Sequence, residues 1–141
     1  MTTIDPMWMG GTDDDDIYKD NIIDHYKHPH NKKNLEDADA HARVFNPVCG
    51  DDLTFFVKHE HNTLTHVTFI GHGCAISQAA ASMLTDHVKG KTLQEATQLT
   101  SEDIVSLLGI TLSIVRMKCA TLPLESLHKT LVLLEEHHEQ T

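Results

Sequence analysis

Basic residues are scarce in this chain: 11 Lys and Arg stand against 21 Asp and Glu, for a formal net charge of −10. A nucleic-acid partner is excluded on that ground. Backbone recognition draws on cationic groups that displace counterions from phosphate, and no Lys- or Arg-rich stripe offers them. Long apolar runs are also missing. No stretch reaches the roughly 18–20 residues that span a bilayer, so no membrane segment is expected. Nor does a basic start followed by an apolar core suggest a secretory signal, which leaves the cytoplasm as the expected location. The chain holds three cysteines and no C-x-x-C pair. An odd number, widely spaced, does not suit a secreted disulfide framework and fits reduced thiols.

The 141 residues, 40% hydrophobic and 23% charged, suit one globular domain with a real core. Residues 1–16 (MTTIDPMWMGGTDDDD) show neither periodicity and read as a disordered acidic leader, with Trp8 as an occasional docking group. The body is expected over 17–138. Apolar spacing predicts a helix from Ile17 to about His28, stopped by Pro29, with Asp13 to Asp16 at its positive end. Polar connection follows, and then three strands near Ala42–Phe45, Leu53–His59 and Leu64–Ile70. His61-Asn62 is a hairpin tip and the short connections imply an antiparallel meander. Helices are predicted at Ala75–Val88, Thr92–Gln98 and Ser101–Leu108, punctuated by Gly90 and Gly109. A last helix is expected from Pro123 to about Glu136, burying Leu124, Leu127, Leu131 and Leu134.

Each cysteine is expected at an element boundary. Cys49 lies in the loop NPVCGDD, Cys74 closes GHGC at the head of the Ala-rich helix, and Cys119 precedes the last helix in VRMKCATLPLESL. A thiol beside a helix N-terminus meets the positive end of the dipole, which favours the thiolate that binds metal and attacks sulfur. A lone cysteine more often simply fills core space. Three at element edges, two of them next to glycine, weigh against that. Asp51 follows Cys49 by two residues, so on extended backbone the two side chains share a face. Three thiolates and a carboxylate make a tetrahedral set for zinc, with the carboxylate the easiest to displace. His72 is a possible substitute ligand but more simply a surface group. Lys118 places a cation beside Cys119, or is only a solvated lysine.

These motifs, taken in order, resemble the U-type iron–sulfur assembly proteins: IscU, SufU and the N-terminal domain of NifU. The resemblance runs over about 17–135, through IYKDNIIDHYKHPHNKKNL, NPVCGD, GHGCAISQAAASML, VKGKTLQEA and VRMKCATLPLESL. It implies an α+β fold, a three-stranded antiparallel sheet packed against helices. It also implies a metal and cofactor site of Cys49, Asp51, Cys74 and Cys119, holding zinc or a [2Fe–2S] cluster with its iron. Sulfane sulfur would come from a pyridoxal-phosphate cysteine desulfurase of SufS or IscS type, and downstream assembly or recipient proteins would take the product. The expected role is a scaffold without turnover, the alternative a zinc-dependent sulfurtransferase. Cys49 is the expected sulfur acceptor in the second case and Cys119 in the first. RMKCATL is closest to SufU, yet the short Gly90–Cys119 interval lacks the insertion of SufU. Lys118 stands where IscU-like scaffolds have histidine, and ITLSIVRMK replaces the LPPVK motif that a chaperone recognises. A purely structural zinc domain and a thiol hydrolase built on Cys119 are the rival readings. The hydrolase lacks a recognisable base.

Overall fold

A computed structural model describes residues 20–48 and 50–140, with side chains described as far as 136. The acidic leader and the first residues of the expected Ile17 helix lie outside this range. What is described of that helix is α1, Asp20–Lys27, ending ahead of Pro29. It buries Ile22 completely.

Three antiparallel strands follow in the order β1-β2-β3: β1 at Ala40–Asn46, β2 at Asp51–Glu60 and β3 at Thr63–His72. Each is longer than its apolar residues predict. Polar Asn46 and Asp51 pair at one end of the β1–β2 register, and Asp52 pairs with His72 in β2–β3. The β2–β3 hairpin turns at His61 and Asn62, with φ of 51° and 67°. Two successive positive-φ residues suit the right-handed strand twist of a tight hairpin.

The helices lie against the face that carries Leu53, Phe55, Val57, Val67 and Phe69, all nearly or fully buried. The Phe55 and Phe69 rings stack there with centroids 5.8 Å apart. α2, Ala75–Val88, covers β3 and carries α1 on its other side. Short α3, Leu93–Thr97, starts in a capping box of Thr92 and Glu95. α4, Ser101–Leu108, begins with the Thr100 N–H and hydroxyl donating to Asp103, and ends at left-handed Gly109. No helix among the described residues is long and apolar enough to cross a membrane.

The last helix corrects the sequence reading. α5 runs from Ile114 to Gln140, so Pro123 lies inside it and Cys119 is part of the helix rather than ahead of it. Its N-terminal signal is Ser113, whose hydroxyl accepts the Arg116 N–H at 3.3 Å and whose carbonyl accepts the Met117 N–H at 2.8 Å. A proline nitrogen cannot make the regular bond to the carbonyl four residues back, here that of Cys119. The buried row continues through it: Cys119, Ala120, Leu122, Leu124, Leu127, Leu131 and Leu134.

One buried hydroxyl fastens α5 to the sheet. Ser126 Oγ accepts the Phe55 N–H at 3.2 Å and donates to the Ala42 carbonyl at 2.8 Å. Removing it strips a partner from two backbone groups at once. Ser126→Ala is expected to destabilise the protein by about 1–3 kcal/mol in urea unfolding, with the slope unchanged. A loss below about 0.5 kcal/mol would show that the backbone groups satisfy themselves without it.

Candidate metal centre

Asp51, Cys74 and Cys119 converge at one end of the sheet. One ligand atom from each lies within 4.8 Å of the others. Among the described residues no other such group of His, Cys, Asp and Glu occurs. Cys49 lies outside the described residues.

Asp51 opens β2 directly after the four-residue turn from β1. That turn is shaped by Asn46, whose carbonyl accepts the Gly50 N–H at 2.8 Å and whose side-chain oxygen accepts the Val48 N–H at 3.0 Å. Strand alternation then separates the two aspartates. Asp52 points outward to Arg43, which reaches it through two nitrogens at 2.7 Å each. That bidentate pair holds the Asp52 carboxyl below the usual carboxylate range, with burial working against it and His72 adding to it. Asp51 points inward and is wholly buried. Its Oδ1 accepts the Cys74 N–H at 2.9 Å, and Oδ2 has no partner among the described residues.

Cys74 is the N-cap of α2, with φ −73° and ψ 170°. Its sulfur takes the place that Ser, Thr, Asp or Asn usually fills, accepting the Ser77 N–H at 3.5 Å. Ser77 in turn donates its hydroxyl to the Cys74 carbonyl at 3.1 Å. Cys74 is partly exposed, whereas Cys119, the sixth residue of α5, is 4% exposed. By position, only Cys74 stands at a helix N-terminus; Cys119 lies beyond the first turn of α5.

The two glycines of GHGC let these groups meet. A Cβ on Gly71, at φ 128°, would fall 2.0 Å from the Asp52 carbonyl oxygen. A Cβ on Gly73 would fall 2.4 Å from both Asp51 Oδ1 and Ser77 Oγ. Gly73 and Ser77 are site residues that sequence reasoning passed over. The signal was the glycine directly before a cysteine, whose facing partner only the tertiary approach of Asp51 reveals.

His72 is exposed on the outer face near Asp52 and does not join the three donors. Lys118 is exposed and borders a hollow of about 570 Å³ between α5 and the end of β1 that also includes Phe45, Pro47 and Leu122. Two sulfurs and a buried carboxylate oxygen lacking a partner are a donor set that fits zinc or iron. A carboxylate sealed from water without such a partner would carry an uncompensated desolvation cost.

A two-layer α+β fold with thiols and one aspartate gathered at the sheet end defines a class of metal- and sulfur-binding domain. The chain belongs to the family of the NifU-like N-terminal domain, whose model matches residues 17–140. It is 37% identical over 116 residues to the iron–sulfur cluster assembly scaffold protein IscU 1 of Archaeoglobus fulgidus, covering 82% of this chain and 75% of that protein. It is 34% identical over 132 residues to the zinc-dependent sulfurtransferase SufU of Bacillus subtilis, covering 82% and 89%. A crystal structure described as a SUF-system iron–sulfur cluster assembly scaffold protein from Fervidobacterium islandicum superposes with a TM-score of 0.73. The two are 27% identical, with 82% of this chain and 96% of that one covered.

Proposed function

We propose that this protein serves iron–sulfur cluster assembly as a scaffold: it accepts sulfane sulfur from a cysteine desulfurase and gathers it with iron on Cys49, Asp51, Cys74 and Cys119. The observation that carries the reading is the buried Asp51 Oδ2, which has no partner among the described residues and lies in a group with two thiol sulfurs. A resident zinc ion would hold the cysteines as thiolates and keep them together until iron and sulfur arrive as substrates. The single carboxylate is the ligand that releases first, which suits a site whose cargo must leave.

The chain's own part in sulfur transfer is nucleophilic. A cysteine thiolate attacks the terminal sulfur of the donor's persulfide, the donor S–S bond breaks, and its electron pair leaves on the donor thiolate. Cys119 is nearly buried, and Cys74 is engaged with Ser77. That leaves Cys49 of the set as the acceptor, in place of the Cys119 expected for a scaffold. Asp51 keeps the Cys74 amide in place meanwhile.

A sulfurtransferase role is the second reading. It is favoured by the match to the Bacillus subtilis protein. The deciding measurement is anaerobic incubation of Asp51→Ala with ferrous iron, cysteine and a cysteine desulfurase. A scaffold is expected to retain stoichiometric iron and acid-labile sulfide. Retained zinc without sulfide, together with faster desulfurase turnover, would replace the scaffold reading with the sulfurtransferase one. Neither result would leave a purely structural zinc domain.

A further inference from the structure

Away from the thiols, two imidazoles stand side by side with one nitrogen of each already engaged. His25 Nδ1 lies 2.7 Å from Ser82 Oγ, and the His30 backbone N–H donates to the same hydroxyl at 2.7 Å. His30 Nδ1 pairs with Asp86 Oδ2, while Asp86 Oδ1 accepts the Asn31 side-chain amide at 2.9 Å. Ser82 is fully buried. Neither Nε2 has a partner among the described residues. The ring centroids are 4.5 Å apart and the planes are inclined by 48°. A hollow of about 330 Å³ opens beside His25 between α1, α2 and α4, with Asn21, Asp86 and His87 among its lining.

We propose that His25 and His30 form a second metal site, which takes one borderline divalent ion such as zinc on their two Nε2 atoms and leaves its other positions to water. The ring spacing fits. Two imidazoles bound to one ion at roughly 2.0–2.1 Å have centroids about 4.5 Å apart at a ligand angle of 90° and about 5.2 Å apart at the tetrahedral angle. Simple packing of two rings also permits 4.5 Å, so the groups behind the rings carry the argument.

A ligating histidine gives its other ring N–H to a carboxylate or another protein oxygen, which fixes the tautomer and makes the ligating nitrogen more basic. Both rings have that partner here. The Ser82 hydroxyl has two lone pairs, so it accepts the His30 N–H and the His25 Nδ1–H together. Asp86 takes the Nδ1–H of His30 and is itself held by Asn31. In this tautomer both Nε2 atoms present a lone pair to a cation. Burial and then the nearby His30 hold His25 below the usual histidine range, against the pull of Asp86 and Asp24. The ring is therefore neutral near pH 7, the form that binds metal.

Asp86 orients His30 and is not a ligand, so the site has two protein donors where the thiol centre gathers at least three. It holds its ion more weakly and fills second. It is also remote, because Asp86 lies more than three turns along α2 from Cys74, roughly 18 Å.

Ring-resolved nitrogen NMR on the full chain at pH 7.5 tests this. One equivalent of zinc is bound first, and a second is then titrated. The His25 and His30 Nε2 signals are expected to shift together through one midpoint, while both Nδ1 atoms keep their protons. Cysteine Cβ shifts report the thiol centre separately, so a failure there does not alter this test. His30→Gln should weaken the second ion at least tenfold and leave the cysteine response unchanged. Asp86→Ala should weaken it by about 10–100-fold with both rings still in place. The His30 and Asp86 side chains are 47% and 48% exposed, so neither change opens the core. No shift at either Nε2, a shift of one ring without the other, or unchanged affinity in His30→Gln would each overturn the site.

Discussion

Gly73→Ala is expected to weaken zinc binding by about 10–100-fold while the protein stays folded. The added methyl would sit 2.4 Å from Asp51 Oδ1 and from Ser77 Oγ, and 3.0 Å from Asp51 Cγ. Real Cβ atoms do not approach so closely, so the carboxylate must swing away or the chain before Cys74 must shift. Either movement breaks the bond between the Cys74 N–H and Asp51 and pulls the carboxylate off its place between the thiols. Gly90→Ala is the control. Unlike Gly73 it has positive φ, at 91°, yet no atom lies within 4 Å of its Cβ, so it adds backbone strain without touching the centre. Competition with a coloured zinc chelator reads both affinities. Equal affinity for wild type and Gly73→Ala would show that Asp51 is not held in the binding set by this close approach.

Asp51→Asn should act in opposite directions on the two forms of the protein. Without metal, wild-type Asp51 keeps a carboxylate out of water with one oxygen unpartnered among the described residues. Asparagine removes that burden and keeps an oxygen for the Cys74 N–H. The metal-free variant is expected to gain on the order of 2 kcal/mol, a rise of roughly 5 °C in Tm for a domain of this size. Zinc at about a thousandfold over Kd should stabilise the wild type by about 4 kcal/mol, and a variant with weakened affinity by much less. Thermal melts with chelator and with zinc give all four values. A full zinc-dependent rise in Asp51→Asn would remove Asp51 from the ligand set.

Much of this was legible from the residues, and the parts that were not share a cause. The β-branched and aromatic runs placed all three strands, but hydrogen bonding carried each of them into polar neighbours such as Asn46, Asp51 and His72. Both ends of α2 are legible in the sequence, because Cys74 and Gly90 are local signals. For α5, Pro123 suits a first turn and predicts a start nine residues after the true one, which rests on the Ser113 hydroxyl. Burial of Ala120, Leu122 and Leu124 against the sheet then carries the helix through the proline. Asp51, Cys74 and Cys119 could be named from spacing, but their meeting depends on contacts between distant elements. Gly73 could not be assigned at all, since its constraint is the side chain of a residue on another strand.

The helical position of Cys119 also sets an order of events during synthesis. The 45 residues from Cys74 to Cys119 take a few seconds to translate, at about 5–20 residues per second. Through that interval the nascent chain carries β2 and β3 and is adding α2, α3 and α4, but it lacks Cys119. Even once made, Cys119 reaches the others only after α5 packs onto the sheet through Ser126. Tight metal capture is therefore the last step of folding, and a truncated or half-made chain would not sequester the ion.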